Sequence, residues 1–283
     1  MDRAGGQRMS WDSEHFDPLP PSSVEPPPQQ QKHWLKRLLA PFTGMALLIW
    51  KVAGPLLFAV KNVKLFAFSA TFLVSLAAYT SIWGWRFALG FMLLLMVHEM
   101  GHVIQLRREG VPASAPMFIP FLGAFVGMKE MPKNAWAEAK VGLAGPVLGA
   151  IGAAICLGVA IETNSDLLRA VAYTAFFLNL FNLIPVVPLD GGRAAAAFHP
   201  AFWFIGVFVI ALLFFWHRNP LILVIAVLGC YELFHRWGRR NDPQARAYYA
   251  TTWPQRITIG VVYIGLIGLL VLGMQASYLH RGF

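Results

Sequence analysis

The residues most able to do chemistry form the segment His98-Glu99-Met100-Gly101-His102, inside a strongly apolar stretch. Residues four apart share one face of an α-helix, so His98 and His102 can reach the same metal ion. Glu99 lies beside them, where its carboxylate can take a proton from a metal-bound water. Two imidazoles and a carboxylate in hydrocarbon would be costly without a ligand. The segment therefore predicts a metal site with a base beside it.

Asp190 is the predicted third ligand, because a catalytic zinc ion takes three protein ligands and keeps one position open. It follows an apolar stretch that Pro185 and Pro188 interrupt, and the Gly-Gly pair after it allows a tight turn. Broken helices at membrane depth usually line a cavity or a site. The alternative is an acidic residue in a cytoplasmic turn, opposed to Arg193.

Glu232 is the remaining acidic residue in an apolar stretch. It lies four residues before Arg236, near a predicted cytoplasmic end. An ion pair between residues i and i+4 that reaches the membrane interface accounts for it. No functional role is therefore predicted for Glu232.

The composition limits the class of protein. Of the 283 residues, 57% are hydrophobic and only 13% are charged, whereas soluble domains contain about 25% charged residues. A disordered chain is excluded, and too few polar residues remain to cover the surface of a soluble globular domain. Cys156 and Cys230 lie in apolar runs, which predicts buried thiols and not a disulfide framework.

Apolar stretches of spanning length must position these groups. They are residues 65–82, 86–106, 141–161, 168–185, 201–216, 220–236 and 257–277. We expect an all-α polytopic membrane protein with about six to seven transmembrane helices. The 201–216 stretch is short for a bilayer, and a partly re-entrant segment is the alternative there. Between the second and third spans, residues 116–128 are apolar but interrupted by proline and glycine. They predict a small re-entrant apolar hairpin, with a lid packed on the helices as the alternative.

The two ends of the chain differ in composition and charge. Residues 1–31 are rich in proline and glutamine and predict a disordered cytoplasmic tail. Residues 32–64 predict a basic amphipathic interfacial segment, and whether 38–60 enter the membrane is left open. With the N-terminus inside, four of the 23 Lys and Arg residues lie outside and 19 inside. We therefore expect a cytoplasmic N-terminus and an external C-terminus, and the membrane surface, not nucleic acid, explains the net charge of +9.

On these motifs the chain resembles the site-2 protease family of intramembrane zinc metalloproteases, peptidase family M50. The resemblance rests on the H-E-x-x-H segment at 98–102 and the N-L-I-P…L-D-G segment at 182–191, with a Gly-Pro segment at 144–146 between them. It implies an intramembrane metalloprotease core over residues 65–200. Residues 201–283 are then C-terminal transmembrane helices.

The resemblance implies one Zn²⁺ per chain, held by His98, His102 and Asp190. It implies Glu99 as the general base that activates the metal-bound water and then gives the proton to the leaving amine. Asn182 matches an asparagine that lies close to the site in this family, and would position the substrate carbonyl. A hydrogen bond between helices is the alternative role for Asn182.

The expected function is that of an intramembrane zinc metalloprotease, which hydrolyses a peptide bond in or near a transmembrane segment of a membrane-protein substrate. We expect a multi-pass protein of a prokaryotic cell membrane. One alternative is a metal-ion transporter or sensor, which would need a polar pathway that the first and last predicted spans do not provide. Another is an inactive homologue that acts as a scaffold. Substrate identity and oligomeric state are left open by these patterns.

Overall fold

The computed structural model describes residue 51 and residues 63–128, 130–198, 201–239 and 241–279. The predicted tail at 1–31 and nearly all of the predicted interfacial segment at 32–64 lie outside the described residues. Every element below belongs to one compact unit, Ala59–Phe283.

The first two described helices carry the H-E-x-x-H segment and its support. Helix α1 spans Val63–Trp83 and helix α2 spans Trp85–Arg108. Gly84 joins them at a φ of 78°, a conformation that favours glycine. An aromatic cluster, in which the Tyr79 ring meets the Phe91 ring edge-on with centroids 5.3 Å apart, packs α1 on α2. This packing fixes the helix that holds the histidines.

A short antiparallel hairpin follows, made of β1 (Met117–Ile119) and β2 (Gly123–Phe125). Phe118 is buried and packs edge-on against the Phe72 ring of α1, with ring centroids 5.3 Å apart. Its strand neighbours Met117 and Ile119 are exposed. The predicted hairpin therefore consists of two β-strands anchored on α1, and its entry into the membrane stays a prediction.

Helices α3 (Ala135–Glu162) and α4 (Asp166–Asn182) complete the core around α2. Each begins at a side-chain cap: Asn134 accepts from Ala137 N–H, and Ser165 accepts from Leu168 N–H. Such caps satisfy backbone donors that the first turn of a helix leaves free. The largest buried apolar cluster of the described residues joins α3 and α4 to the last helix.

The C-terminal part contains five further helices among the described residues. They are α5 (Asp190–Ala195), α6 (Phe202–His217), α7 (Pro220–Gly238), α8 (Pro243–Tyr249) and α9 (Trp253–Ser277). Residues 183–189 connect α4 to α5. Because α5 begins at Asp190, the predicted third ligand lies at the start of a helix.

Four helices of the described residues are long and apolar enough to cross a membrane: α2, α3, α7 and α9. The apolar helices Ala67–Trp83 and Phe202–His217 are shorter. Helix α4 has 17 residues. The protein is thus a mostly helical membrane protein, as predicted, and the number of six to seven spans stays a prediction.

Candidate metal centre

Helix α2 carries His98, Glu99 and His102 on its buried side. The exposed fraction of these residues is 1%, 5% and 5% respectively. Helix α3 approaches this side so closely that a Cβ on Gly101 would overlap the Ala144 carbonyl. A Cβ on Gly145 would likewise overlap the His102 imidazole. The two glycines therefore allow the helices to meet at the histidines.

The three predicted ligands converge. The Asp190 Oδ2 atom lies 3.1 Å from His98 Nε2 and 3.2 Å from His102 Nε2. The two Nε2 atoms are 3.2 Å apart. Zinc–ligand distances of about 2.0–2.2 Å place the ligand atoms of a tetrahedral site about 3.3–3.6 Å apart. The spacing of the three donors therefore fits one tetrahedral metal ion.

The other ring nitrogens determine which tautomer each histidine adopts. His98 Nδ1 lies 2.8 Å from Asn179 Oδ1, and His102 Nδ1 lies 2.8 Å from the Val141 carbonyl oxygen. Asn179 Nδ2 donates to the Ala175 carbonyl, which assigns Oδ1 as the atom that faces His98. Both partners can only accept, so both Nδ1 atoms carry the proton.

This tautomer leaves three lone pairs facing one another. When both imidazoles are neutral and carry their one proton on Nδ1, the two Nε2 atoms are unprotonated and point at each other and at a carboxylate. A donor does approach one of them, Asn182 Nδ2 at 3.4 Å from His98 Nε2, but this contact is long and leaves the other two atoms facing each other. Oriented imidazoles with Nδ1 bonded to a carbonyl oxygen are characteristic of metal-ligating histidines. The donor set and its orientation therefore fit a divalent metal ion.

Glu99 is buried beside the three donors but is not one of them. Within the part of the chain that the structure describes, its carboxylate makes no hydrogen bond or ion pair. A buried carboxylate without a fixed partner, such as that of Glu99, is available to exchange a proton.

Arg193, three residues after Asp190, donates to Met128 Sδ at 3.8 Å and so connects α5 to the loop after β2.

The two asparagines of α4 have different positions. Asn182 Nδ2 lies 3.4 Å from His98 Nε2, beside the three ligand atoms, and its role in positioning a substrate stays a prediction. Asn179 is the residue that sequence reasoning missed, although it holds His98 directly. A signal was present, because an amide in an apolar span is costly without a partner.

A second buried polar cluster, called the arginine cluster, is centred on Arg236 of α7. Its other members are Glu138, Glu232, Tyr248 and Tyr249. Arg236 pairs with Glu232 at 2.5 Å, the predicted ion pair, and with Glu138 at 3.6 Å. It also donates to Tyr249 Oη at 2.9 Å.

Glu138 was not singled out from the sequence, yet it is only 3% exposed. Tyr248 donates to its Oε2 atom at 2.8 Å. Burial, together with the Glu138 carboxylate, raises the pKa of Tyr248 above its usual value. The phenol therefore remains a donor at neutral pH.

Known proteins match part of this chain. Residues 86–166 match the model of peptidase family M50. A zinc metalloprotease of Methanocaldococcus jannaschii, MJ0392, is 33% identical over 111 residues, which is 36% of this chain and 31% of that protein. The putative zinc metalloprotease Rip3 of Mycobacterium tuberculosis is 33% identical over 114 residues, or 37% and 28% of the two chains. The chain thus spans less than a third of the length of these curated relatives.

The matched segment includes α2 except for its first residue, with the H-E-x-x-H residues, and all of α3. This match to the model of peptidase family M50 supports the resemblance predicted from the motifs. A solved structure, the site-2 protease from Methanocaldococcus jannaschii, is also similar. It has 20% sequence identity and a TM-score of 0.39, and the similarity covers 64% of this chain and 87% of that one.

Proposed function

We propose that this protein is an intramembrane zinc metalloprotease that cleaves a peptide bond in or near a transmembrane segment of another protein. The observation that carries the proposal is the convergence of three metal-ligand atoms, His98 Nε2, His102 Nε2 and Asp190 Oδ2, which lie within 3.2 Å of one another. The match of residues 86–166 to the model of peptidase family M50 and the zinc metalloprotease names of the curated relatives support zinc as the metal.

One zinc ion per chain would be held by His98, His102 and Asp190. When bound, zinc acts as a Lewis acid that polarises a peptide carbonyl and makes water a stronger acid. The two histidines enter this role already oriented, because Asn179 and the Val141 carbonyl hold their Nδ1–H groups.

Glu99 is the proposed general base. Its carboxylate is buried next to the donors, and no hydrogen bond or ion pair ties it to any described residue. It can take the proton from the attacking water and give it to the amine nitrogen as the peptide bond breaks. Asn182, at the edge of the donor set, is proposed to donate from Nδ2 to the substrate carbonyl oxygen.

The proposed substrate is a transmembrane protein that reaches the site from within the bilayer. Four long apolar helices support a site enclosed by membrane. The distribution of Lys and Arg supports a cytoplasmic N-terminus and an external C-terminus, which places the metal centre near the cytoplasmic face. A prokaryotic cell membrane is the proposed location.

The test compares metal content and cleavage in three full-length variants purified in detergent. We expect about one zinc ion per chain in the wild type and in Glu99→Gln, and loss of the metal in Asp190→Ala. Cleavage of single-span model substrates in proteoliposomes should be lost in both variants. Glu162→Gln, at the exposed end of α3, is the control and should behave as the wild type.

Three results would contradict the proposal. Normal turnover in Glu99→Gln would remove Glu99 as the base. Loss of zinc from Glu99→Gln to the same extent as from Asp190→Ala would make Glu99 a ligand and would favour a metal transporter or sensor. A wild type that binds no zinc would leave the scaffold function as the better explanation.

A further inference from the structure

The carbonyl of Gly192, two residues after Asp190, is held by a side chain from a different helix. Trp203 of α6 donates from Nε1 to the Gly192 carbonyl oxygen at 2.8 Å. The tryptophan is 2% exposed, so neither the donor nor the acceptor has water as a ready substitute. This hydrogen bond links α6 directly to the turn that presents Asp190.

The segment that leads into this turn also rests on the C-terminal helices. A Cβ on Gly206 of α6 would overlap the Pro185 carbonyl, and a Cβ on Gly229 of α7 would overlap the Val186 side chain. Val186 is buried in one cluster with Ile210 of α6 and Ile225 of α7. Helices α6 and α7 therefore pack closely against the segment before Asp190. The surface formed by Gly206, Ile210, Ile225 and Gly229 is called the seat of this segment.

The arginine cluster holds the tryptophan from the other side. The Arg236 guanidinium carbon lies 4.9 Å from the centroid of the Trp203 ring. Arg236 is fixed in turn by Glu138 of α3 and by Glu232 on its own helix. The Trp203 ring is thus packed between a charged network and the turn that carries a metal ligand.

We infer that Trp203 is a positioning residue for the metal centre, and that α6 and α7 are part of that centre's supporting structure. Trp203 fixes the backbone at Gly192, and this fixes the Asp190 carboxylate relative to His98 and His102. The inference rests on the metal site of the proposed function. It extends the supporting structure beyond residue 200, where the resemblance places the end of the protease core.

The first experiment removes the hydrogen bond and keeps the ring. Trp203→Phe in the full-length protein should bind zinc about tenfold or more weakly, measured by competition with a chelator of known affinity. Trp85→Phe is the matched control, because Trp85 is 61% exposed and lies far along α2 from the histidines. Its zinc affinity should equal that of the wild type. A zinc affinity of Trp203→Phe within twofold of the wild type would overturn the inference.

A second variant distinguishes a loss of zinc affinity caused by general destabilisation from one caused by a displaced Asp190. Leu233→Ala destabilises the protein by opening a cavity in the apolar cluster that contains Trp203 but leaves the Trp203–Gly192 hydrogen bond in place. Both variants are heated in chelator to measure the thermal midpoint of the metal-free protein. Positioning predicts that Trp203→Phe loses more zinc affinity than Leu233→Ala for an equal or smaller fall in that midpoint. An equal loss of affinity for an equal fall in midpoint would reduce Trp203 to a structural residue.

A glycine pair tests the seat independently and remains available if Trp203→Phe does not fold. Gly206→Ala should push on the Pro185 carbonyl and weaken zinc binding several-fold. Gly265→Ala on α9 is its control, because a Cβ there meets nothing within 4 Å. Equal zinc affinities in the two variants would contradict the role of α6.

Hydrogen exchange distinguishes failure of this inference from failure of the proposed function. In metal-free protein, amides of 190–195 should exchange faster in Trp203→Phe than in the wild type, whether or not the protein is a zinc protease. If the wild type binds no zinc, the proposed function fails, and the exchange result alone decides the positioning role. Unchanged exchange in 190–195 would overturn it.

Discussion

The metal centre and the arginine cluster are both polar, both buried, and both built from residues distant in the sequence. In the arginine cluster every charge faces an opposite charge or a donor: Arg236 has two carboxylates, and Glu138 has Arg236 and Tyr248. In the metal centre, three acceptors face one another. The difference teaches that burial of polar groups alone does not mark a binding site. A binding site is indicated by buried polar groups for which the protein itself supplies no oppositely charged group and no adequate hydrogen-bond partner.

The largest effect expected in the arginine cluster comes from removing its only cation among the described residues. Arg236→Met keeps apolar volume but leaves Glu138 buried without its ion pair, which costs about 3–5 kcal/mol of unfolding free energy. Denaturant titration in detergent micelles measures this loss.

The double variant Arg236→Met, Glu138→Leu tests the reason for that loss. Replacing both partners of a buried ion pair with apolar residues is often close to neutral. Most of the lost unfolding free energy should therefore return. If the double variant is as unstable as Arg236→Met alone, the lost unfolding free energy does not come from the unpaired Glu138 carboxylate. The arginine cluster would then not differ from the metal centre in having its charges paired within the protein.

An intermediate effect is expected at Asn179, which belongs to the metal centre. Asn179→Ala removes the acceptor that holds the His98 Nδ1–H group, so the ring can rotate and change tautomer. Zinc affinity should fall about 10- to 100-fold, as for other partners of metal-ligating histidines. Thr174→Ala on the same helix is the control, because the Thr174 hydroxyl bonds only within α4 in the described structure. Unchanged zinc affinity in Asn179→Ala would show that His98 is held by other means.

The smallest effect is expected at Glu232. Its side chain is 26% exposed and pairs with Arg236 at i and i+4. Glu232→Gln should lower the unfolding free energy by about 0.3–0.5 kcal/mol and leave zinc binding unchanged. Denaturant titration and chelator competition measure the two quantities. A loss as large as that of Arg236→Met would mean that Glu232, and not Glu138, is the main partner of the arginine.

Sequence reasoning found the groups whose position within one helix determines their chemistry. The histidines four residues apart and the acid after a broken helix are visible without a structure, because the cost of burying them requires a ligand. The helices also follow the predicted apolar stretches, since residues of one span are contiguous. These features depend on local sequence alone.

The missed residues depend on partners that are far away in the chain. Glu138 precedes the predicted span at 141–161, so it resembled an aqueous residue, and Tyr248 lies 110 residues after it. Trp203 resembled an ordinary aromatic residue near a span end, and its bond to Gly192 needs the packing of α6 on α5. Such contacts cannot be derived from composition or periodicity, because neither gives the order in which helices pack.

The two histidines of the metal centre differ in how easily a mutation can remove the group that orients the imidazole. His98 is oriented by a side chain, Asn179, which a single codon change can remove. His102 is oriented by the main-chain carbonyl of Val141, which every residue at that position would supply. A mutation of Asn179 can therefore change the orientation of His98 directly. The orientation of His102 changes only if the α3 backbone moves. In directed evolution of metal selectivity, the orientation of His98 can be changed by mutating Asn179. No side-chain substitution at position 141 removes the carbonyl that orients His102.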